Sequence, residues 1–153
     1  MLAVGSTEPS NLQTELLSRS NIWSTQAKYP FGKKYISDYS IVAIKDLVYI
    51  FGGQTAWDSS GITKNIASFS TKTKDWKKCG QLKKDRYGHG VFVHEGDFII
   101  IGGRNGNRPN DPLSTERCIL KEDTIHCTVV KPKLWDYGYY PEMIAVPHDY
   151  CPK

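Results

Sequence analysis

The chain has 153 residues, of which 39% are hydrophobic and 24% charged, with a formal net charge of +4. No run approaches the 18 or more consecutive apolar residues of a transmembrane helix, and the stretch from Met1 to Glu8 lacks the charged segment and long apolar core of a signal peptide. The lysines at 72, 74, 77, 78, 83 and 84 are interrupted by Asp75 and Asp85 and read as solvated turn residues, not the continuous basic face with stacking aromatics that nucleic acid requires. No membrane insertion and no nucleic-acid partner are therefore expected.

Taken in chain order, Leu2 to Ser6 reads as the end of a glycine-closed strand with serine in the second glycine's place. Thr14–Ser18 and Ile22–Ser24 read as two further strands, the latter carrying Trp23. Tyr39 to Asp46 leads into an apolar run, Leu47-Val48-Tyr49-Ile50-Phe51, closed by Gly52-Gly53. A long polar loop from Gln54 to Gly61 follows. Then come the strand Ile66–Ser70, a polar turn at Thr71–Asp75, and Trp76 opening another strand. Arg86-Tyr87-Gly88-His89 precedes Val91-Phe92-Val93, and His94-Glu95-Gly96-Asp97 reads as a hairpin turn with Gly96 supplying an unusual backbone angle. Phe98–Ile101 is apolar and closed by Gly102-Gly103. The glycines of 102–107 do not form a phosphate loop, because Pro109 and Pro112 argue against the helix it would need. Thr115–Leu120 and Thr124–Thr128 flank a charged centre at Glu122-Asp123, and Tyr140–Val146 begins another unit.

The two glycine pairs recur at a spacing of 50 residues, and Tyr39–Asp46 lines up with His89–Gly96 by the same step. A fixed period of this length means stacked supersecondary units, each unable to bury its apolar face alone. An aromatic residue, a polar turn, Trp76, Arg86, a second polar turn and a double glycine, in that order, closely resemble the kelch repeat. The resemblance implies an all-β fold, a partial kelch-type β-propeller of about three blades of antiparallel four-stranded sheets. Approximate units are 1–38, 39–87 and 88–139, with the start of a further unit at 140–153. His126 stands where Trp76 predicts a tryptophan. Three blades fall short of the usual closed ring, so the expectation is a fragment of a longer propeller, or a protomer that completes its ring by self-association. Gly52, Gly53, Trp76, Arg86, Gly102 and Gly103 are structural repeat positions by this resemblance. Trp23 and Trp76 are expected between blades, and Arg86 in an ion pair or backbone contact.

Among the four cysteines, Cys118 and Cys127 face each other if the hairpin turns at Glu122-Asp123, at a non-hydrogen-bonded pair where a disulfide fits. A bridge implies an oxidising compartment, and two reduced buried cysteines a cytosolic one; compartment stays open. Cys118, His126 and Cys127 lack the paired short spacings of a zinc module. His89, His94, His126 and His148 are scattered, and no serine or cysteine sits in a nucleophile elbow. No catalytic residue, metal or cofactor is expected. Some kelch-type propellers carry copper oxidase domains, which leaves an oxidase as the minority alternative.

In a propeller the strands are committed to packing, so binding falls to the rim loops. Trp57 and Asp58 in the first loop offer an aromatic anchor. Arg104, Asn105, Asn107, Arg108 and Asp111 in the second offer arginines that grip an acidic peptide by bidentate pairing. Each has a plain alternative, Trp57 as cover for a blade edge and the arginines as solvated side chains. The functional expectation is a protein-binding scaffold, or alternatively an extracellular adhesion or carbohydrate-binding propeller.

Overall fold

The computed structural model describes residues 1–5, 13–31, 36–56, 60–105 and 115–130. These form eleven strands in chain order: β1 (Leu2–Gly5), β2 (Gln13–Leu17), β3 (Trp23–Gln26), β4 (Ser40–Ile44), β5 (Leu47–Phe51), β6 (Asn65–Ser70), β7 (Trp76–Gln81), β8 (Gly90–His94), β9 (Asp97–Ile101), β10 (Thr115–Lys121) and β11 (Thr124–Val130). No helix of the described residues is long and apolar enough to cross a membrane.

Strands β4 to β7 form one antiparallel four-stranded blade and β8 to β11 a second. β1, β2 and β3 form a separate three-stranded sheet. The two full blades join at their outer strands, where β11 runs parallel to β7 with Ile125 opposite Gly80 and His126 opposite Gln81. The result is an eight-stranded sheet of order β4-β5-β6-β7-β11-β10-β9-β8, folded on itself so that β4 and β8, its two ends, lie against one another. The molecule is all-β and a partial β-propeller.

Tight hairpins set the register. Ile44 pairs with Leu47, His94 with Asp97 and Lys121 with Thr124, each across two residues. The first turn residues, Lys45, Glu95 and Glu122, all adopt positive φ, at 54°, 51° and 55°, as hairpin turns that match strand twist require. The third hairpin places Cys118 directly opposite Cys127, and the structure joins them in a disulfide with Cα atoms 4.0 Å apart.

Side-chain alternation along each strand then sends residues to opposite faces of the blade. Tyr49, Phe51, Ile66, Cys79 and Leu82 from the first full blade meet Phe98, Ile100, Cys118, Ile125 and Cys127 from the second in one buried cluster. The opposite face of the first full blade carries Ile50 and Ala67, which pack with Val4, Tyr29 and Ile36 against the three-stranded sheet. Trp76 belongs to this second contact. Its ring lies 5.2 Å from Phe69 and 5.1 Å from Tyr29, and its Nε1–H donates to Thr14 Oγ1 and to the Ala27 carbonyl, both at 3.0 Å. Trp23 holds the same place in the three-stranded sheet, opposite Leu17 on β2, yet it is 46% exposed. The expectation of an inter-blade position fails for it because, among the described residues, no sheet packs on that side.

The glycine pairs answer to close backbone approach. Gly53 sits at φ +104°, and a Cβ there would stand 2.7 Å from the Ser37 carbonyl oxygen and 2.9 Å from Tyr39 Cβ. Gly103 repeats the arrangement against Tyr87 and His89. Gly80, at φ +153° beside a β-bulge, lets β11 approach: a Cβ there would run into the Ile125 carbonyl oxygen.

Candidate binding rim

Because each blade runs up and down, its connections separate by end. The turns at 45–46, 71–75, 95–96 and 122–123 share one end, and the segments leaving β5, β7 and β9 share the other. The described bases of both polar loops singled out from the sequence, 54–56 and 104–105, therefore lie on a single rim.

That rim is interlocked at its base. Ser37 and Gln54 form a bridge, with Ser37 N–H donating to Gln54 O at 3.0 Å and Gln54 N–H to Ser37 O at 2.8 Å. Tyr87 and Arg104 repeat it 50 residues on, at 3.0 and 2.9 Å. Gly53 N–H donates to the Arg86 carbonyl at 2.9 Å, and Gly88 N–H to the Asp38 carbonyl at 2.8 Å. The loops thus spring from a fixed platform, which lowers the ordering cost of binding.

Of the predicted binding residues, Arg104 and Asn105 are described. The Arg104 side chain is exposed while its backbone is held by Tyr87. Asn105 is half-buried, and its Nδ2 donates to Asp85 Oδ1 at 2.9 Å, so it braces the loop base. Trp57, Asp58, Asn107, Arg108 and Asp111 lie outside the described residues, as does Cys151.

Arg86 and Glu116 form the electrostatic centre beneath the rim. Both side chains are fully buried, with Arg86 Nη2 2.7 Å from Glu116 Oε1. Arg86 Nη1 also donates to the Gly102 carbonyl at 3.0 Å. Glu116 accepts from the backbone N–H groups of Lys83 at 2.7 Å and Lys84 at 3.1 Å. Burial pulls the guanidinium below its ordinary value while Glu116 and then Asp85 oppose that pull. One ion pair therefore ties the crossover between the blades to β9 and β10.

His89 is 6% exposed, and among the described residues neither ring nitrogen has a hydrogen-bond partner. Burial first, and the Arg86 charge second, push it down to about 3; the Phe51 carbonyl pulls weakly the other way without closing a well-formed hydrogen bond. The imidazole is consequently neutral at ordinary pH. Its carbonyl accepts from Ser40 Oγ–H, joining the inner strands of the two blades.

Glu116 escaped the sequence reading, which took 115–120 only as an outer strand. A signal was present: Glu116 and Cys118 share strand parity, so a carboxylate had to enter the same core as the cysteine and needed a cation there.

A Kelch motif model matches residues 36–83. Kelch-like protein 41b of Danio rerio is 32% identical over 83 residues, covering 54% of this chain and 13% of the relative. N-acetylneuraminate epimerase of Escherichia coli O157:H7 is 28% identical over 111 residues, covering 69% of this chain and 29% of the relative. A solved structure of YjhT superposes with a TM-score of 0.59 at 17% identity, over 85% of this chain and 48% of that one, a likeness of fold. The chain thus spans less than a third of the length of the curated relatives it matches.

Proposed function

Since the chain belongs to the kelch-repeat family, we propose that it is a protein-binding scaffold whose loop rim holds a protein partner. The observation that carries this reading is the placement of the bases of both polar loops on one interlocked rim. Strands are spent on packing, whereas the Arg104 side chain is exposed. Arginines in such a position recognise carboxylates by paired N–H donors, so an acidic segment is the partner chemistry. Replacing Arg104 and Arg108 together with alanine is expected to weaken partner capture about tenfold or more, with the circular dichroism spectrum unchanged. Undiminished capture would place the contact on a different loop.

A second reading is an extracellular adhesion or carbohydrate-binding propeller. The Cys118–Cys127 bridge favours it through the oxidising compartment that such bonds need, and the epimerase similarity favours a sugar ligand. Non-reducing peptide mapping of freshly isolated protein should then link Cys118 to Cys127. Free thiols at both positions would remove this reading.

A further inference from the structure

A cavity of about 400 Å³ opens at the end opposite the loop rim, wedged between the two full blades. Leu47 on β5 and Leu120 on β10 give it apolar walls from either blade, and Tyr49 and Ser68 lie at its buried end. Asp75 and Asp123, from the turns of the two blades, line its exposed end with Lys77. Lys77 Nζ is already 2.6 Å from Asp123 Oδ2, so the second carboxylate, Asp75, leaves the cavity with one net negative charge.

Hydroxyl groups line the cavity beside its carboxylates. Tyr49 is 2% exposed, its ring packed 4.9 Å from Phe98, and it lines the cavity with its hydroxyl as one polar group. Ser68 Oγ accepts from the Cys79 thiol at 3.0 Å and keeps a further lone pair. Both hydroxyls line a space large enough for a side chain.

We propose that this inter-blade cleft receives the arginine side chain of a partner protein. The methylene stem lies between Leu47 and Leu120, as long cationic side chains do along apolar surface. The planar guanidinium carries five N–H donors and no acceptor, and the cleft offers the Asp75 carboxylate with the hydroxyl oxygens of Tyr49 and Ser68. An anionic side chain would meet two carboxylates. A lysine ammonium has the charge but only three donors at one point, and so satisfies fewer of these groups.

The test uses the whole ¹⁵N-labelled chain and the peptide acetyl-Ala-Arg-Ala-amide, with norleucine, lysine and glutamate versions as comparisons. The expected result is saturable shifts at the amides of Ser70, Asp75, Lys77 and Asp123, with the arginine peptide about tenfold tighter than the norleucine one. Asp75→Asn should remove most of that preference, and Tyr49→Phe should weaken the arginine peptide a few-fold, both leaving the spectrum of the remaining chain in place. Equal response to norleucine, an undiminished preference in Asp75→Asn, or shifts confined to the Ser60 and Arg104 loops would overturn the proposal. Because the loop rim lies at the other end, Arg104 and Arg108 replacements should leave this binding intact, so the two readings fail separately.

Discussion

Replacing Glu116 with alanine is expected to destabilise the fold by about 3–5 kcal/mol, the cost of leaving one member of a buried ion pair uncompensated. The carboxylate has three partners: the Arg86 guanidinium and the backbone amides of Lys83 and Lys84. Its loss strands a buried cation and two N–H groups together. Against a usual domain stability of roughly 5–15 kcal/mol, the change should move the urea midpoint sharply or prevent folding. Arg86→Met should be similarly damaging. Replacing both at once is expected to cost less than the sum of the single changes, since an apolar pair strands no charge. It should not restore full stability, because the two amides still lack their acceptor. A double-mutant cycle by urea unfolding checks this, and additive losses would mean that the pair contributes nothing as a pair.

Acid should weaken the fold through His89. Its folded-state value is held down at about 3, whereas the unfolded chain takes up the same proton near 6.5. Below 6.5 the unfolded state therefore binds the proton first. The stability associated with neutral His89 is complete above about pH 6.5 and is lost progressively as pH falls towards 3. At about 1.4 kcal/mol per pH unit, roughly 2–3 kcal/mol should be gone by about pH 4.5. His89→Leu removes both the titration and two unpartnered nitrogens, so its stability should fall less steeply over that range. Parallel pH curves for the two proteins would assign the acid sensitivity elsewhere.

The fold was legible because the informative residues are punctuation. Two glycine pairs at a constant spacing, a tryptophan after a polar turn and two-residue hairpins depend on local geometry, which sequence records directly. The meeting of Cys118 and Cys127 across their hairpin follows from the same counting. What lay beyond it depended on how blades meet. Trp23 and Trp76 look alike in sequence, yet one is exposed and the other donates into the neighbouring sheet. Glu116 as the partner of Arg86 required knowing that β10 turns that side chain toward the crossover. Likewise, the parallel contact of β11 with β7 at Gly80 has no sequence signal of its own, since it joins strands of different blades. The polar loops were visible as composition; the placement of their bases on one rim emerged from the alternation of strand direction.

A photo-crosslinking amino acid placed at Ser60 or Arg104, and separately at Glu95 on the opposite end, tests the proposed binding rim most directly when the full chain is incubated with a captured protein partner. Binding at the loop rim predicts a covalent adduct from Ser60 and Arg104, whether or not a partner held in the inter-blade cleft also labels Glu95. An adduct from Glu95 with none from either rim position would contradict it.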